Sequence, residues 1–234
     1  MGNYSKFHEN PQSLCNVVAF DPGETTGFCV MGIPPDDLLW PRNMKLSDLL
    51  HDHGHIEYGQ IDCRTGSSNL QDYETTVFGH AGIGLIAEHI GASDMIDLAR
   101  EFKGPIVLED FVIDMRKIDQ ARHTLSPVRM ISMFSYGLGI AELNRVHIQN
   151  RSLHKTTCTD DRLREWGLYD LHSGPHARDA TRIAYYFLRQ CMEGRSKGAA
   201  EKRWRGWPNR FDDPVDRTKK PRAKKVGTRI ESIR

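Results

Sequence analysis

Asn16-Val17-Val18-Ala19-Phe20-Asp21-Pro22-Gly23-Glu24-Thr25-Thr26-Gly27-Phe28-Cys29-Val30-Met31 decides how the rest of this chain is read. Residues 17–20 and 28–31 are two short runs rich in strand-forming side chains, joined by a tight acidic turn. Pro22-Gly23 is a turn pair, and Gly27 relieves backbone crowding where the second run begins. Asp21 therefore stands at the C-terminal edge of a buried strand, where rigid backbone holds a functional group well. Its carboxylate is either a metal ligand or the acceptor of an Asx-turn closed by the turn amides.

The composition frames this stretch. A chain of 234 residues holds one domain of about 150 to 200 residues plus appendages. A hydrophobic content of 38% suits a soluble, enzyme-like fold. No positively charged start leads into an apolar run, and no stretch approaches 18 uninterrupted apolar residues, so neither a secretory signal nor a membrane span is expected. The five cysteines, Cys15, Cys29, Cys63, Cys158 and Cys191, form no CxxC pair. That argues against structural zinc and for a reducing, cytoplasmic compartment. The net charge of +1 hides an asymmetry: residues 194–234 carry 14 Lys or Arg against 5 Asp or Glu, leaving 18 against 26 in residues 1–193. An acidic body with a basic tail suits acidic chemistry brought to a polyanion. A solubilising, disordered end is the alternative reading of the tail.

In chain order, residues 1–15 read as a polar arm and residues 32–37 as a loop. Residues 40–53 hold either a short helix near residues 46–50 or an irregular insertion. His51, His53 and His55 alternate without an accompanying carboxylate or cysteine framework, so they read as solvated polar residues. Residues 55–62 form a third strand with Ile56, Tyr58 and Gln60 on one face, ended by a loop at residues 66–69. Residues 72–102 are helical by the spacing of Val77, Ile83, Ile86, Ala87 and Ile90, with a break at Gly91-Ala92-Ser93. Residues 106–108 are a short buried strand tipped by Glu109-Asp110. A basic loop follows with Arg116, Lys117, Arg122 and His123. Ser126-Pro127 starts a helix to residue 144 with Val128, Ile131, Phe134, Leu138 and Ala141 inward. Residues 146–149 are a further strand, Thr159 or Asp160 caps a short helix through Trp166, and residues 176–191 are an amphipathic helix with Ala180, Ile183, Ala184 and Phe187 inward. In the tail, Arg203, Trp204, Arg205 and Trp207, then Lys219, Lys220, Arg222, Lys224 and Lys225, combine aromatic rings with cations, which suits base stacking and phosphate contacts. The two tryptophans packing back on the domain is the alternative. Three leading strands with tight connections and later strand–helix–strand crossovers predict an α/β fold, a mixed sheet flanked by helices.

Asp21 and Glu109 end apolar strands, and Asp179 begins a helix able to reach the same sheet edge. Clustered carboxylates repel unless cations neutralise them, and an oxygen-rich set without cysteine suits Mg²⁺, with Mn²⁺ as the alternative. Two such ions about 4 Å apart support phosphodiester hydrolysis. His176, three residues before Asp179, is a further ligand or proton carrier, or a solvated helix-start histidine.

The Asp-Pro-Gly-x-Thr-x-Gly start at residues 21–27, the Val-Leu-Glu-Asp strand and the His-Ala-Arg-Asp-Ala helix resemble the RuvC-like Holliday-junction resolvases, in particular versions carried by actinobacterial phages. The resemblance covers residues 17–189 and implies a ribonuclease-H-like fold: a five-stranded mixed sheet whose first three strands are antiparallel. It implies a nuclease domain at residues 16–193; residues 194–234, whose composition suggests a DNA-contacting tail, lie outside the resemblance. Its acids map to Asp21, Glu109 and Asp179, the family position that is Asp or His maps to His176, and Lys155 looks like a family lysine that meets a phosphate. The implied activity is metal-dependent endonucleolytic resolution of four-way-junction DNA by a homodimer. Asp-x-Gly-x-Thr also occurs in actin-like ATPases and sugar kinases, but those need two lobes, and this chain has room for one. Another structure-selective or terminase-type nuclease of the same fold, or a non-catalytic nucleic-acid-binding protein, are the rival readings. The insertion at residues 34–53 departs from the family pattern.

Overall fold

The computed structural model describes residues 14–34, 45–63, 79–111, 125–170 and 174–196. The basic loop residues Arg116, Lys117 and Arg122, and every tail residue singled out above, lie outside these segments.

Alternation along the first strand explains the architecture. In β1 (Cys15–Asp21), Val17 and Ala19 enter one hydrophobic cluster while Val18 and Phe20 enter another, so both faces of the strand are buried. Such a strand belongs at the centre of a sheet with helices on both sides. The sheet order is β3-β2-β1-β4-β5. β2 (Thr25–Ile33) pairs antiparallel with β1 and with β3 (His55–Asp62), whereas β4 (Ile106–Glu109) runs parallel to both β1 and β5 (Val146–Gln149). This is the five-stranded mixed sheet expected. β1 begins at Cys15, so the sheet already takes in the last residue of the expected arm.

On one face lie α1 (Leu46–His53), α5 (Asp160–Glu165) and the long α6 (Pro175–Ser196). On the other lie α2 (Gly79–Glu101) and α3 (Ser126–Leu138). A seven-residue helix, α4 (Arg151–Thr157), follows β5 directly, where none was expected. Among residues 40–53 the helical alternative holds, with His51 and His53 in the exposed last turn of α1 and His55 buried in β3.

Several expectations about α2 and α3 are corrected. α2 is continuous through Gly91, where no break occurs; a side chain at Gly91 would run into the Cys63 sulfur. Its buried side is Ala87, Ala92, Met95, Ile96 and Ala99, whereas Ile90 is exposed. α3 stops at Leu138 rather than residue 144, because Gly139 takes φ 87°, a left-handed conformation that ends the helix. Within α3, Met130 is buried in place of Val128, Ala141 lies exposed beyond the helix end, and Ser126 is the first helical residue with no side-chain capping bond.

All five cysteines are buried and none forms a disulfide, and burial pushes the thiols of Cys29 and Cys158 up to about 12. No helix among the described residues is long and apolar enough to cross a membrane.

Candidate active site

Strand parity brings the acids together. Asp21 follows Val17 and Ala19 onto the α6 face of β1, and Glu109 follows Val107 onto the same face of β4. The parallel register sets Phe20 opposite Leu108, so Asp21 and Glu109, one step further, end neighbouring strands side by side. Gly27 faces Asp21 across the β1–β2 ladder. A side chain there would overlap the backbone of His176 and Ala177, so the missing Cβ lets α6 start directly over the strand end. His176 and Asp179 thereby reach the acid pair from above. The turn holds its shape through Thr26, whose hydroxyl accepts from the Gly23 amide at 3.2 Å and donates to the Gly23 carbonyl at 3.0 Å.

Of the two roles open to Asp21, the structure shows a side-chain partner: its Oδ2 lies 2.8 Å from His176 Nδ1. Burial raises the Asp21 carboxyl, but the His176 bond and the Glu109 carboxyl outweigh it and hold the group below its ordinary value. The same bond to Asp21 raises His176. Glu109 goes the other way: burial first, then the Asp21 carboxylate beside it, push it up to about 8. Two carboxylates in contact cannot both ionise cheaply, so Glu109 is the one that keeps a proton.

Cations of the chain fill the space between the acids. Lys155 Nζ is 2.8 Å from Asp179 Oδ2 and 3.7 Å from Glu109 Oε1. Arg182 bonds to Asp179 and Asp160 and donates to the Cys158 carbonyl at 2.9 Å. Asp160 is thus tied to the far side of Asp179 through a guanidinium. Arg151 Nε lies 3.2 Å from Glu109 Oε1. Thr159, the alternative to Asp160, caps α5 by accepting from the Arg162 amide. Asp21, Glu109, Arg151, His176 and Asp179 line an open cleft of about 420 Å³, which also takes in Glu24 and Asp110.

The described residues include no three carboxylate, imidazole or thiol groups already arranged as a metal-binding set. The Lys155 ammonium explains the spacing, since it stands between Glu109 and Asp179 as a stand-in cation. The donor chemistry still fits a hard divalent ion: three carboxylates, one imidazole, and a Glu109 Oε1 that is buried without a hydrogen bond.

All five expected site residues within the described segments, Asp21, Glu109, Lys155, His176 and Asp179, converge here. Sequence reasoning missed Arg151, His154 and Arg182. The first two follow the C-terminal end of β5, which in a parallel sheet opens on the same edge as those of β1 and β4; that position was the available signal.

No family model matches this chain, and no curated protein matches it by sequence. Among solved structures it is similar to T. thermophilus RuvC in complex with a Holliday junction substrate, over 77% of this chain and 96% of that one, with a TM-score of 0.48 and 13% identity. At that identity no residue role passes from that protein to this chain.

Proposed function

We propose that this chain is a metal-dependent endonuclease that cuts phosphodiester bonds in branched DNA, resolving four-way junctions by paired nicks. The observation that carries this reading is the convergence of Asp21, Glu109 and Asp179, from two adjacent strand ends and one helix, on one edge of the sheet, with the Lys155 ammonium between Glu109 and Asp179. Asp21, Glu109, Asp179 and His176 are the residues that would hold one or two Mg²⁺ ions, with Mn²⁺ as the alternative. When bound, such ions supply charge neutralisation and activation of the attacking water and the leaving oxygen.

The chain's own groups do the rest. His176, half exposed and bonded to Asp21, holds a proton at Nδ1 and is placed to carry one at the cleft wall. Lys155 and Arg151, which pair with Glu109 and Asp179 here, would with a metal ion bound be free to meet phosphate and hold the nucleic-acid backbone over the acids. The tail residues Arg203, Trp204, Arg205, Trp207, Lys219, Lys220, Arg222, Lys224 and Lys225, with Arg116, Lys117 and Arg122, add phosphate contacts and stacking by composition.

Cleavage of labelled immobile four-way junctions, flaps and linear duplex, each with Mg²⁺, Mn²⁺ or EDTA, tests this. Paired nicks in the junction, lost in EDTA, are expected. Cleavage of flaps or duplex with equal efficiency would make the chain a broader structure-selective or terminase-type nuclease. Binding without cleavage in either metal would leave a nucleic-acid-binding protein.

A further inference from the structure

Beneath the acid cluster lies a histidine that the chemistry above does not use. His154 sits within α4 between Leu153 and Lys155, and its side chain is 0% exposed. Neither ring nitrogen has a hydrogen-bond partner. Its Nε2 lies 3.6 Å from Glu109 Oε1, which is also buried and also without a hydrogen bond. Burying a polar ring with nothing to bond is costly, and a side chain that only filled space here would be apolar. Arg151 Nε at 3.2 Å and Lys155 Nζ at 3.7 Å pair with the same oxygen by charge, and a closure of roughly half an ångström brings His154 Nε2 to ordinary N–H···O distance from it as well.

We propose that His154 is a positioning residue: its Nε2–H donates to Oε1 of Glu109 and turns the other carboxylate oxygen toward the cleft. The inference rests on the metal-dependent reading above and deepens it. Outer partners of this kind orient metal-binding carboxylates, and losing one weakens metal affinity by about 10- to 100-fold.

Mn²⁺ binding to the full-length chain, followed by the paramagnetic resonance of free Mn²⁺, separates the outcomes. His154→Leu, which fills the space without a donor, is expected to weaken binding about 10-fold or more while the metal-free melting temperature holds or rises. His154→Gln, which keeps an N–H, is expected to recover most of that loss. Equal Mn²⁺ affinity in wild type and His154→Leu overturns the role of His154 and leaves the metal reading standing. No Mn²⁺ binding by the wild type overturns both. Should His154→Leu fail to fold, nitrogen-15 histidine spectra of the wild-type chain decide: a proton on Nε2 whose resonance moves on adding Mg²⁺ is expected, and a proton on Nδ1 with bare Nε2 overturns the proposal.

Discussion

Asp21 and Glu109 show how one environment sorts two similar side chains. Both end central strands on the same face, yet the His176 bond keeps Asp21 ionised while Glu109 is pushed up to about 8. Without metal, the folded chain thus holds a proton at Glu109 that the unfolded chain releases near its ordinary 4.5. The sign follows from linkage: this contribution to stability is whole below about pH 4.5 and is lost as pH rises through about 8. His176, raised by Asp21, works in the same direction from its ordinary 6.5 upward. His154 opposes them, its contribution being whole above 6.5 and lost as pH falls through about 4. The denaturant midpoint of the metal-free protein should fall between about pH 6 and pH 9, and Glu109→Gln should flatten much of that fall. Loss of the slope in wild type would show that the acid pair shares no proton. A second expectation is catalytic: Asp21→Asn, Glu109→Gln and Asp179→Asn should each lower cleavage in Mg²⁺ by on the order of 100-fold or more, with folding and DNA binding kept. Single-turnover rates beside melting curves check it, and substantial residual activity removes that residue from the set. These three acids were legible because each ends a strand or opens a helix at one sheet edge. Arg151 and His154 were not, since α4 is too short to show an apolar period, and only the register of β5 places them under the acids.

At the scale of elements, the site depends on how closely α6 approaches β2. Gly27 is the contact point, with the His176 carbonyl directly against it. Gly27→Ala would force the first turn of α6 away from the sheet while the rest of that helix, anchored by Ala180, Ile183, Ala184 and Leu188, stays seated. The expected cost is about 1–3 kcal/mol of stability from overpacking. Cleavage should fall by on the order of 100-fold, because Asp179 and His176 move together relative to Asp21. Circular dichroism, chemical denaturation and single-turnover cleavage on one preparation would show this; full activity would mean that the start of α6 is free to adjust. Elements themselves were readable wherever an apolar run met a turn, as in β1, β2, β3, β4 and β5. Reading failed where tertiary packing decided the outcome. The Gly91 position, which resembles a break, is the place where α2 meets Cys63. Gly137 and Gly139 have roles inside this chain: Gly137 gives room to Ile96 of α2, and Gly139 ends α3.

For the molecule as a whole, charge and symmetry carry the expectations. Removing residues 197–234 leaves α6 whole, since that helix runs to Ser196, and takes away 13 basic side chains, the 14 of the tail less Arg195. DNA affinity should drop, and the slope of log affinity against log salt should flatten by about 0.9 for each phosphate that the tail neutralises. An unchanged slope would show that the tail leaves phosphates alone. The proposed paired nicks ask for more, because one acid cluster serves one scissile phosphate and a junction needs two cuts in strands of like polarity. A two-fold dimer supplies two clusters in the symmetry of such a junction. For the interface of such a dimer we propose the outer side of α3 and the turn after it. Tyr136 is 91% exposed and Ile140 90% exposed, with Leu125, Val128 and Leu143 also open to solvent at helical and near-helical spacing. Tyr136→Glu combined with Ile140→Glu touches none of the buried core, so the fold should survive while self-association fails. Sedimentation with and without junction DNA is expected to show two wild-type chains and one variant chain on each junction, the variant giving single nicks. Paired nicks from a single bound chain in one binding event would sink the dimer, and a double variant that still pairs would move the interface away from α3.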